Sequence, residues 1–461
     1  MAIEACRYFA HQAWVQGAWA NDVLLEVDAS GHWSRITCDA AQDTVRDAVR
    51  LAGPVLPGVV NAHSHAFQRA IAGLTEQGAP HGQDNFWSWR ERMYAVAQRI
   101  TPEQLEVIAT MLYTELLAGG YTQVCEFHYL HNAGARAPHA SALDMSMALV
   151  RAAQRSGIGL TLLPTLYMRS GFGADRLRPD QQRFASTPDS IARLVQDLQA
   201  HTRDMAHVNL GVALHSLRAV KPQALSDLVT FADAQGLPIH IHIAEQPQEV
   251  HDCIAQTGQR PIDWLLSHAQ LHHRWNLVHA THATQAELNG VRASGASIVI
   301  CPSTEANLGD GVFDYGAYCA QGGSWSVGSD SHISRAWNEE LRLLEYGQRL
   351  IRGQRNVAAQ SGATTSSAAN MLQAMVHGAQ ACTARPLGGL QEGQRADGVV
   401  LDINSPALCG LPHAHVLDAH VFSSPGSAPL AVCVGGQWRS HSSQGAVLQE
   451  DYARTLAQVF S

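Results

Sequence analysis

Two histidines stand two positions apart in the segment VVNAHSHAFQRAI, residues 59–71, directly after a Leu-Pro-Gly turn. If this segment is a β-strand, His63 and His65 point to the same face and both can bind one metal ion. The chain has 25 histidines, however, so a single pair with this spacing can arise by chance. The pair alone is therefore a weak indication of a metal site.

Further ionisable residues follow short apolar runs later in the chain. A second pair, His240 and His242, ends the run PIHIHIA, and His279 and Asp330 end two others. Glu245 follows His242 by three residues, where a loop is predicted to begin. We favour His242 as a ligand because it lies nearer the strand end. We expect His240 to lie one layer deeper, hydrogen-bonded in the protein interior.

Imidazole nitrogens combined with a carboxylate, and without thiolates, suit Zn²⁺ or Fe²⁺. The nine cysteines are scattered and form no Cys-x-x-Cys pair, so neither a thiolate zinc site nor a disulfide framework is indicated. In zinc enzymes an open coordination position holds a water whose pKa falls to about 7. The expected chemistry is metal-assisted hydrolysis.

The elements that must position these residues form a repeating pattern of apolar runs and helical segments. Eight runs are strand candidates: Val59–His65, Tyr121–Tyr129, Ile158–Tyr167, Val208–Ser216, Pro238–Ala244, Asn276–Ala280, Ser297–Pro302 and Ser324–Ser329. Segments such as 102–119, 187–204, 222–236 and 284–294 have apolar residues at helical spacing. Eight β-α units in series predict an α/β fold, a TIM-like (β/α)8 barrel with parallel strands.

Active sites of such barrels lie at the C-terminal ends of the strands. The polar residues predicted at that end are His63, His65, Glu126, His128, Tyr167, His215, His240, His242, His279, Ser303 and Asp330. Just beyond it, Asn307 and Gly309 are predicted to shape the loop after the seventh strand, whereas the sequence assigns no role to Glu126, His128 or His332. The concentration of ionisable groups at one end of the predicted barrel favours a functional site there.

The two ends of the chain differ from its centre. Residues 1–57 alternate apolar and polar residues around turn-forming Gly, Asn and Asp, and ADGVVLDI and PLAVCVGGQW near the C-terminus have the pattern of strands. We therefore predict a barrel over residues 58–385 and a small β-sandwich domain formed by residues 1–57 and 386–461.

Composition excludes several classes of protein. A net charge of −9 without a basic run argues against nucleic-acid binding. No run approaches the roughly 20 apolar residues of a membrane helix, and the N-terminus shows no secretory signal. Scattered cysteines fit reduced thiols. The expected location is the cytoplasm, and no membrane partner is expected.

Several segments together resemble the amidohydrolase superfamily and, more narrowly, its formiminoglutamate deiminase branch. They are PGVVNAHSHAFQRAIAG, FWSWRERMY, EFHYLH, HSLRAV, IHIHIAEQ, LVHATHA, STEANLGDG and GSDSH. The resemblance spans nearly the whole chain. The histidine and aspartate pattern marks only the superfamily, whereas HAFQRA, FWSWRERMY, EFHY and HSLRAV are specific to the branch.

The resemblance implies a role for each matching residue. The implied metal ligands are His63, His65, His242 and Asp330, and the implied catalytic residues are Glu245, His279 and Asp330. The implied substrate-binding residues are Gln68, Arg90, Tyr129, His215 and Arg218. Two-metal relatives commonly have a carboxylated lysine at the end of the fourth strand, but the only lysine here, Lys221, lies beyond that end. One divalent ion per subunit is expected, with Zn²⁺ favoured over Fe²⁺, in a homodimer.

The implied reaction is hydrolytic deimination of N-formimino-L-glutamate to N-formyl-L-glutamate and ammonia, in histidine degradation. Asp330 takes a proton from the attacking water, His279 orients that water, and Glu245 protonates the departing nitrogen. The substrate is a small dianion, and arginine forms bidentate pairs with carboxylates, so Arg90 and Arg218 are expected to bind it.

Two alternatives stay open. A deaminase of a purine- or pyrimidine-type heterocycle would use the same metal site, with Trp87 and Trp89 as stacking groups, although we prefer packing around Arg90 as their role. A barrel that has lost catalysis and serves as a scaffold would be expected to lose metal ligands, and this chain keeps them all.

Overall fold

The structure is a computed structural model and describes residues 6–78, 84–134, 136–137, 139–360, 363–424, 428–440 and 445–461. Its strands are β1 (Cys6–Val15), β2 (Ala18–Val27), β3 (Trp33–Thr37), β4 (Val49–Arg50), β5 (Val55–Pro57), β6 (Val59–Ser64), β7 (Tyr121–His128), β8 (Gly159–Leu166), β9 (Val208–Leu210), β10 (Val212–Ser216), β11 (Ile239–Ile243), β12 (Trp275–His279), β13 (Ser297–Ile300), β14 (Ser324–Val327), β15 (Gly398–Val400), β16 (Ala431–Val434) and β17 (Gln437–Ser440).

The α-helices are α1 (Phe86–Ala97), α2 (Pro102–Ala118), α3 (Ala142–Ser156), α4 (Pro188–Thr202), α5 (Pro222–Ala234), α6 (Pro247–Thr257), α7 (Pro261–His268), α8 (Gln285–Ser294), α9 (Pro302–Leu308), α10 (Tyr315–Ala320), α11 (Trp337–Arg352), α12 (Val357–Gln360), α13 (Ser367–Thr383), α14 (Val416–Phe422) and α15 (Gly445–Phe460). Short 3-10 helices span Ala66–Ala70, Pro179–Phe184 and His413–His415. None of these helices combines the length and the apolar character that crossing a membrane requires.

The central strands form the predicted parallel barrel. Strands β6, β7, β8, β10, β11, β12, β13 and β14 are neighbours in chain order, and every pairing along this path is parallel. The last strand returns to the first through a parallel bridge between Ser64 and Asp330. Two backbone hydrogen bonds complete the closure, one from Asp330 N to His63 O (3.0 Å) and one from His65 N to Asp330 O (3.2 Å).

The barrel strands form where the sequence has continuous apolar runs. All eight residues of β8, GLTLLPTL, are buried, as is typical of parallel strands that helices cover on the outside. The predicted strand bounds agree with the observed ones within two residues, except in the fourth strand. There the predicted segment 208–216 divides into β9 and β10 at Gly211, where a Cβ atom would lie 2.6 Å from the Leu163 side chain.

The two ends of the chain meet in one eight-stranded sheet, with the order β17-β16-β15-β5-β1-β2-β3 and β4 paired to β1. Buried residues from both terminal segments share one core, which includes Tyr8 and Trp33 from the N-terminal segment and Val400 from the C-terminal segment. The ring of Trp438, from the C-terminal segment, packs edge-on against Tyr8 from the N-terminal segment, with centroids 5.8 Å apart. The predicted β-sandwich of the terminal segments is therefore confirmed.

The last helix, α15, lies against the barrel. The Tyr452 hydroxyl donates a hydrogen bond to Arg69 O (3.1 Å), and Arg69 Nη1 donates one back to that hydroxyl (3.1 Å). Because Arg69 follows the first barrel strand and lies in the AFQRA segment, α15 supports the loop that begins at the His63-Ser-His65 motif.

Candidate active site

Three imidazoles and one carboxylate meet at the C-terminal end of the barrel. The Nε2 atom of His242 lies 3.0 Å from Nε2 of His63 and 3.3 Å from Nε2 of His65. The Oδ1 atom of Asp330 lies 3.5 Å from Nε2 of both His63 and His65. All four side chains are buried. The structure thus brings together the four residues that the sequence suggested as metal ligands.

The hydrogen bonds of these rings fit a bound cation. The Nδ1 atoms of His65 and His242 donate to backbone carbonyls, of Phe127 and His215 respectively, at 2.9 Å each. Neutral rings then present bare Nε2 lone pairs to one another, an arrangement that a shared cation stabilises. Burial lowers the pKa of His65 and His242 and so favours the neutral form, in which imidazole binds metals. The donor set therefore fits a divalent metal ion.

The backbone at this end of the barrel is strained. His279 and Asp330 have positive φ angles of 71° and 46°, a conformation uncommon for residues other than glycine. Such strain persists only where surrounding structure enforces it, and it is concentrated at functional sites. For Asp330, the closing hydrogen bonds to the first strand provide that constraint.

His279 lies among three carboxylates. Its Nε2 atom lies 3.6 Å from Oε1 of Glu245 and 3.8 Å from Oδ2 of Asp330. On the other side of the ring, Nδ1 lies 3.3 Å from Oε1 of Glu305. Burial lowers the pKa of His279, but the three carboxylates outweigh this effect and raise it to about 10. The ring can therefore donate a hydrogen bond to a water or carboxylate oxygen beside the four proposed metal ligands, which we call the metal cluster.

Glu245 is a buried carboxylate between this cluster and an arginine. Its Oε2 atom lies 3.9 Å from Nη2 of Arg218. Burial raises the pKa of Glu245 to about 7, which suits a group that both accepts and donates a proton near neutral pH.

The five predicted substrate-binding residues lie beside the metal cluster. Gln68 donates a hydrogen bond from Nε2 to the Tyr129 hydroxyl (3.2 Å). The ring of His215 lies 5.6 Å from that of Tyr129 and 5.2 Å from that of His242. Gln68, Tyr129 and His215 form one wall of the site. The wall adjoins the proposed metal ligands, because the ring of Tyr129 packs against that of His65 with centroids 5.1 Å apart.

Arg90 and Arg218 approach the same indole ring. The guanidinium carbon of Arg90 lies 4.4 Å from the centroid of Trp87, and that of Arg218 lies 6.0 Å from it. Trp87 therefore packs against Arg90 and lies near Arg218. The Nε atoms of both arginines are buried and have no hydrogen-bond partner within the described chain. Arg218 is buried between Glu245 and Glu249, whereas Arg90 is half-buried. Guanidinium donors without hydrogen-bond partners are suited to binding an anion.

His240 and the three residues without an assigned role lie deeper in the barrel or behind the proposed metal ligands. Glu126 accepts hydrogen bonds from Ala66 N (2.6 Å) and Ser64 Oγ (2.6 Å). It thereby holds the chain around the His63-Ser-His65 segment. His240 is buried and bonds through Nε2 to a backbone carbonyl (3.0 Å), as expected. His332 hydrogen-bonds to a serine hydroxyl at 3.0 Å, and His128 packs against another histidine ring.

Sequence reasoning missed three buried carboxylates: Glu249, Glu305 and Asp310. Glu249 accepts a hydrogen bond from Glu245 N (3.3 Å) and lies 3.8 Å from Nε of Arg218. Glu305 contacts His279, and Asp310 shares a cluster with Glu245 and His279. The signal was present, since two of the three acids lie in the quoted segment STEANLGDG after the seventh strand, where only loop shape was considered.

Comparisons with known proteins agree with this geometry. Residues 55–439 match the model of the amidohydrolase family. The chain is 44% identical over 451 residues to a formimidoylglutamate deiminase of Pseudomonas aeruginosa, with 98% of each chain covered. An 8-oxoguanine deaminase of the same species is 28% identical, over 94% of this chain and 91% of the relative.

Solved structures include a similar protein. The crystal structure of an amidohydrolase from Brucella melitensis superposes with a TM-score of 0.91 at 38% identity, covering 99% of this chain and 100% of that one. The family match, the full-length relatives and the metal-ligand cluster at the barrel end lead to one conclusion. The chain is a hydrolase that belongs to the amidohydrolase family.

Proposed function

We propose that the protein hydrolyses the formimino group of N-formimino-L-glutamate, giving N-formyl-L-glutamate and ammonia. The observation that carries this proposal is the pair of guanidinium groups of Arg218, which is buried, and Arg90, which is half-buried. Both approach Trp87, and both have a buried Nε atom without a hydrogen-bond partner among the described residues. A protein with a net charge of −9 needs local cations to bind a dianion. The 44% identity to a formimidoylglutamate deiminase supports the same substrate.

We propose one divalent ion, Zn²⁺ in preference to Fe²⁺, held by His63, His65, His242 and Asp330. Three imidazoles and one carboxylate, without cysteine, are donors that both ions accept. When bound, the ion would polarise water and lower its pKa, so that a nucleophile is available at neutral pH.

The chain's own residues then move the protons. Asp330 accepts a proton from the attacking water, and His279 orients that water through its Nε2 atom. The nucleophile adds to the formimino carbon and converts it to a tetrahedral centre. Glu245 holds the terminal nitrogen and protonates it, because ammonia leaves readily whereas amide anion does not. Collapse of the tetrahedral centre breaks the bond to that nitrogen and forms the formyl carbonyl, as the hydroxyl proton returns to Glu245. The proton held by Asp330 leaves with the ammonia as ammonium.

The remaining residues hold the substrate. Arg90 and Arg218 bind the two carboxylates, and Gln68, Tyr129 and His215 form the wall that donates and accepts hydrogen bonds along the substrate backbone. These groups orient the formimino carbon toward the metal cluster, and this positioning lowers the barrier by restricting the reacting atoms to productive geometry.

Release of ammonia from N-formimino-L-glutamate by the metal-loaded protein tests this proposal. Adenosine, guanine and N-formimino-L-aspartate serve as comparison substrates. We expect the formimino-glutamate compound to be the best substrate by kcat/KM. Turnover of a purine without turnover of either formimino compound would reject the proposed substrate and support a heterocycle deaminase, the class of the 28% identical relative.

We further propose a homodimer, in the cytoplasm, acting in histidine degradation. Leu343, Tyr346 and Leu350 form an exposed stripe on α11, and Leu350 is 85% exposed; exposed apolar groups of this kind favour burial against a second copy. All nine cysteines are free thiols, as suits a reducing compartment. Light scattering of the native protein and of Leu350→Glu tests the oligomer.

We also propose residues 58–385 as the barrel domain and residues 1–57 with 386–461 as the β domain. Strand β5 ends at Pro57 in one sheet and β6 begins at Val59 in the other, which supports the first boundary. Limited proteolysis that cleaves first near these positions would agree with the division.

A further inference from the structure

Asp310 is a buried carboxylate that the proposed reaction does not use. It lies just after α9, in the segment Gly-Asp-Gly, and is 2% exposed. Its backbone is fixed on both sides, since Asp310 N donates to Glu305 O (2.9 Å) and Asp310 O accepts from His282 Nε2 (2.8 Å). The main chain of Asp310 is therefore held in place.

The two carboxylate oxygens of Asp310 have different surroundings. Oδ1 accepts a hydrogen bond from Gln246 Nε2. Oδ2 is buried and has no hydrogen-bond partner among the described residues. A buried acceptor without a partner is costly, and in native proteins it calls for a specific explanation. A ligand that donates a hydrogen bond would supply the missing partner.

Asp310 faces the reacting end of the site. A carboxylate oxygen of Asp310, one of Glu245 and a ring nitrogen of His279 all lie within 4.8 Å of one another. Burial, followed by the charge of Glu245, raises the pKa of Asp310 to about 9. His279 supplies one positive charge beside these two carboxyl groups, and Asp310 still has a raised pKa, so a further cationic group bound there would offset the remaining repulsion.

The substrate proposed above has such a group. A formimino group is an amidine, which is protonated near neutral pH, and its terminal nitrogen then has two N–H bonds. Glu245 can accept only one of them along a favourable direction. The other N–H requires a second acceptor on the same side of the site. The formyl product differs at this position, because it has a carbonyl oxygen in place of that nitrogen.

We propose that Asp310 is a specificity-determining residue that accepts the second N–H of the terminal formamidinium nitrogen, beside Glu245. This inference rests on the proposed function. Asp310 takes part in no bond making or breaking; it selects a cationic amidine over a neutral carbonyl. The product's carbonyl oxygen has no N–H to donate, so the carboxylate form of Asp310 gains no hydrogen bond from the product and favours the substrate.

The variant Asp310→Asn tests this role. Asparagine keeps an oxygen that can accept from Gln246 but replaces the other oxygen with an N–H donor. We expect kcat/KM for N-formimino-L-glutamate to fall about 100-fold, the effect of losing a charge-assisted hydrogen bond. The inhibition constant of N-formyl-L-glutamate should stay the same or decrease, because an N–H donor suits a carbonyl. Metal content should match the wild type.

Asp227→Asn, an exposed carboxylate-to-amide change on α5, is the matched control and should behave as the wild type. A structural role for Asp310 would weaken substrate and product binding together, and that result would overturn the inference, as would a kcat/KM within about threefold of the wild type. If the wild type itself releases no ammonia from N-formimino-L-glutamate, the proposed function fails and the inference fails with it.

Discussion

His279 Nδ1 lies 3.3 Å from Glu305 Oε1, so a carboxylate on α9 holds the ring of a histidine that ends β12. The same Oε1 atom accepts a hydrogen bond from Cys301 N (2.9 Å), and Glu305 is buried. With Nδ1 bonded to this fixed oxygen, Nε2 of His279 points toward Glu245 and Asp330. Glu305 therefore acts through His279 as a positioning residue.

We predict that Glu305→Gln lowers kcat about 10- to 100-fold, the usual effect of removing a carboxylate that orients a functional histidine. KM should change little, because Glu305 does not contact the proposed substrate. Steady-state kinetics measure the separate effects on kcat and KM. The control is Glu450→Gln, which changes an exposed acid on α15. A large rise in KM with kcat preserved would contradict the positioning role.

The metal ligands give a second prediction. Removing one imidazole leaves too few donors for tight binding, so His63→Ala and His242→Ala should each lose the stoichiometric ion and reduce activity to background. Metal analysis of the purified proteins measures this loss, and added Zn²⁺ should raise the Tm of the wild type after chelation but not of the variants. His251→Ala, at an exposed position on α6, should retain the metal. Full metal content in both ligand variants would refute the assignment.

The two arginines should differ in their kinetic effects. Among the described residues, the guanidinium group of Arg90 lies over the rings of Trp87 and Tyr94, so Arg90→Met should raise KM about 10- to 100-fold through the loss of a charge-assisted hydrogen bond to the substrate. Arg218 also lies 3.9 Å from Glu245, and Arg218→Met should lower kcat as well. Arg92→Met changes an arginine of the same helix that bonds to backbone carbonyls of the preceding loop, and it should leave kcat unaffected. Near-normal kinetics in both site variants would remove the arginines from substrate binding.

Glu340 on α11 gives a prediction for pH dependence. Burial raises its pKa from 4.5 to about 8, the nearby acids Glu305 and Glu339 also raise it, and hydrogen bonds from Ser303 only partly oppose them. The folded state holds this proton more tightly than the unfolded state. The group's contribution to stability is therefore present at low pH and is lost as the pH rises from about 4.5 to about 8.

Glu340→Gln mimics the protonated form and removes that dependence. The difference in Tm, variant minus wild type, should therefore become more positive between pH 5 and pH 8.5, measured at one scan rate in the presence of metal. The buried Tyr121 also faces Glu340, but it is present in both proteins and its contribution cancels. A difference in Tm that does not change with pH would show that Glu340 is ionised in the fold throughout.

The fold was predictable from the sequence because the parallel strands are covered on both faces. Their apolar runs therefore differ visibly from the helical segments between them, and seven of the eight predicted strands match within two residues. The split at Gly211 was not predictable, since it depends on the close approach of Leu163 from a neighbouring strand. The position of α15 on the barrel, through Tyr452 and Arg69, likewise depends on a contact between residues distant in sequence.

The site was predictable where a residue ends a strand. His63, His65, His242 and Asp330 could be found by that rule and by their resemblance to a known family, and the structure brings them together. Glu305 and Asp310 follow the seventh strand within a helix and a turn, where carboxylates are most often solvated. Only the three-dimensional arrangement shows that both are buried and face His279 and Glu245.

Barrel closure and the proposed metal site depend on the same residues. Asp330 N and O bond to His63 and His65 across the seam between the first and last strands, and the Asp330 side chain completes the ligand set. During synthesis, a nascent chain that ends before residue 330 has only three of the four ligands, all of them histidines. With the proposed ligand set, an ion would be bound fully only after the last strand docks. Metal occupancy would then report the completion of folding and, by mass action, oppose reopening of the seam.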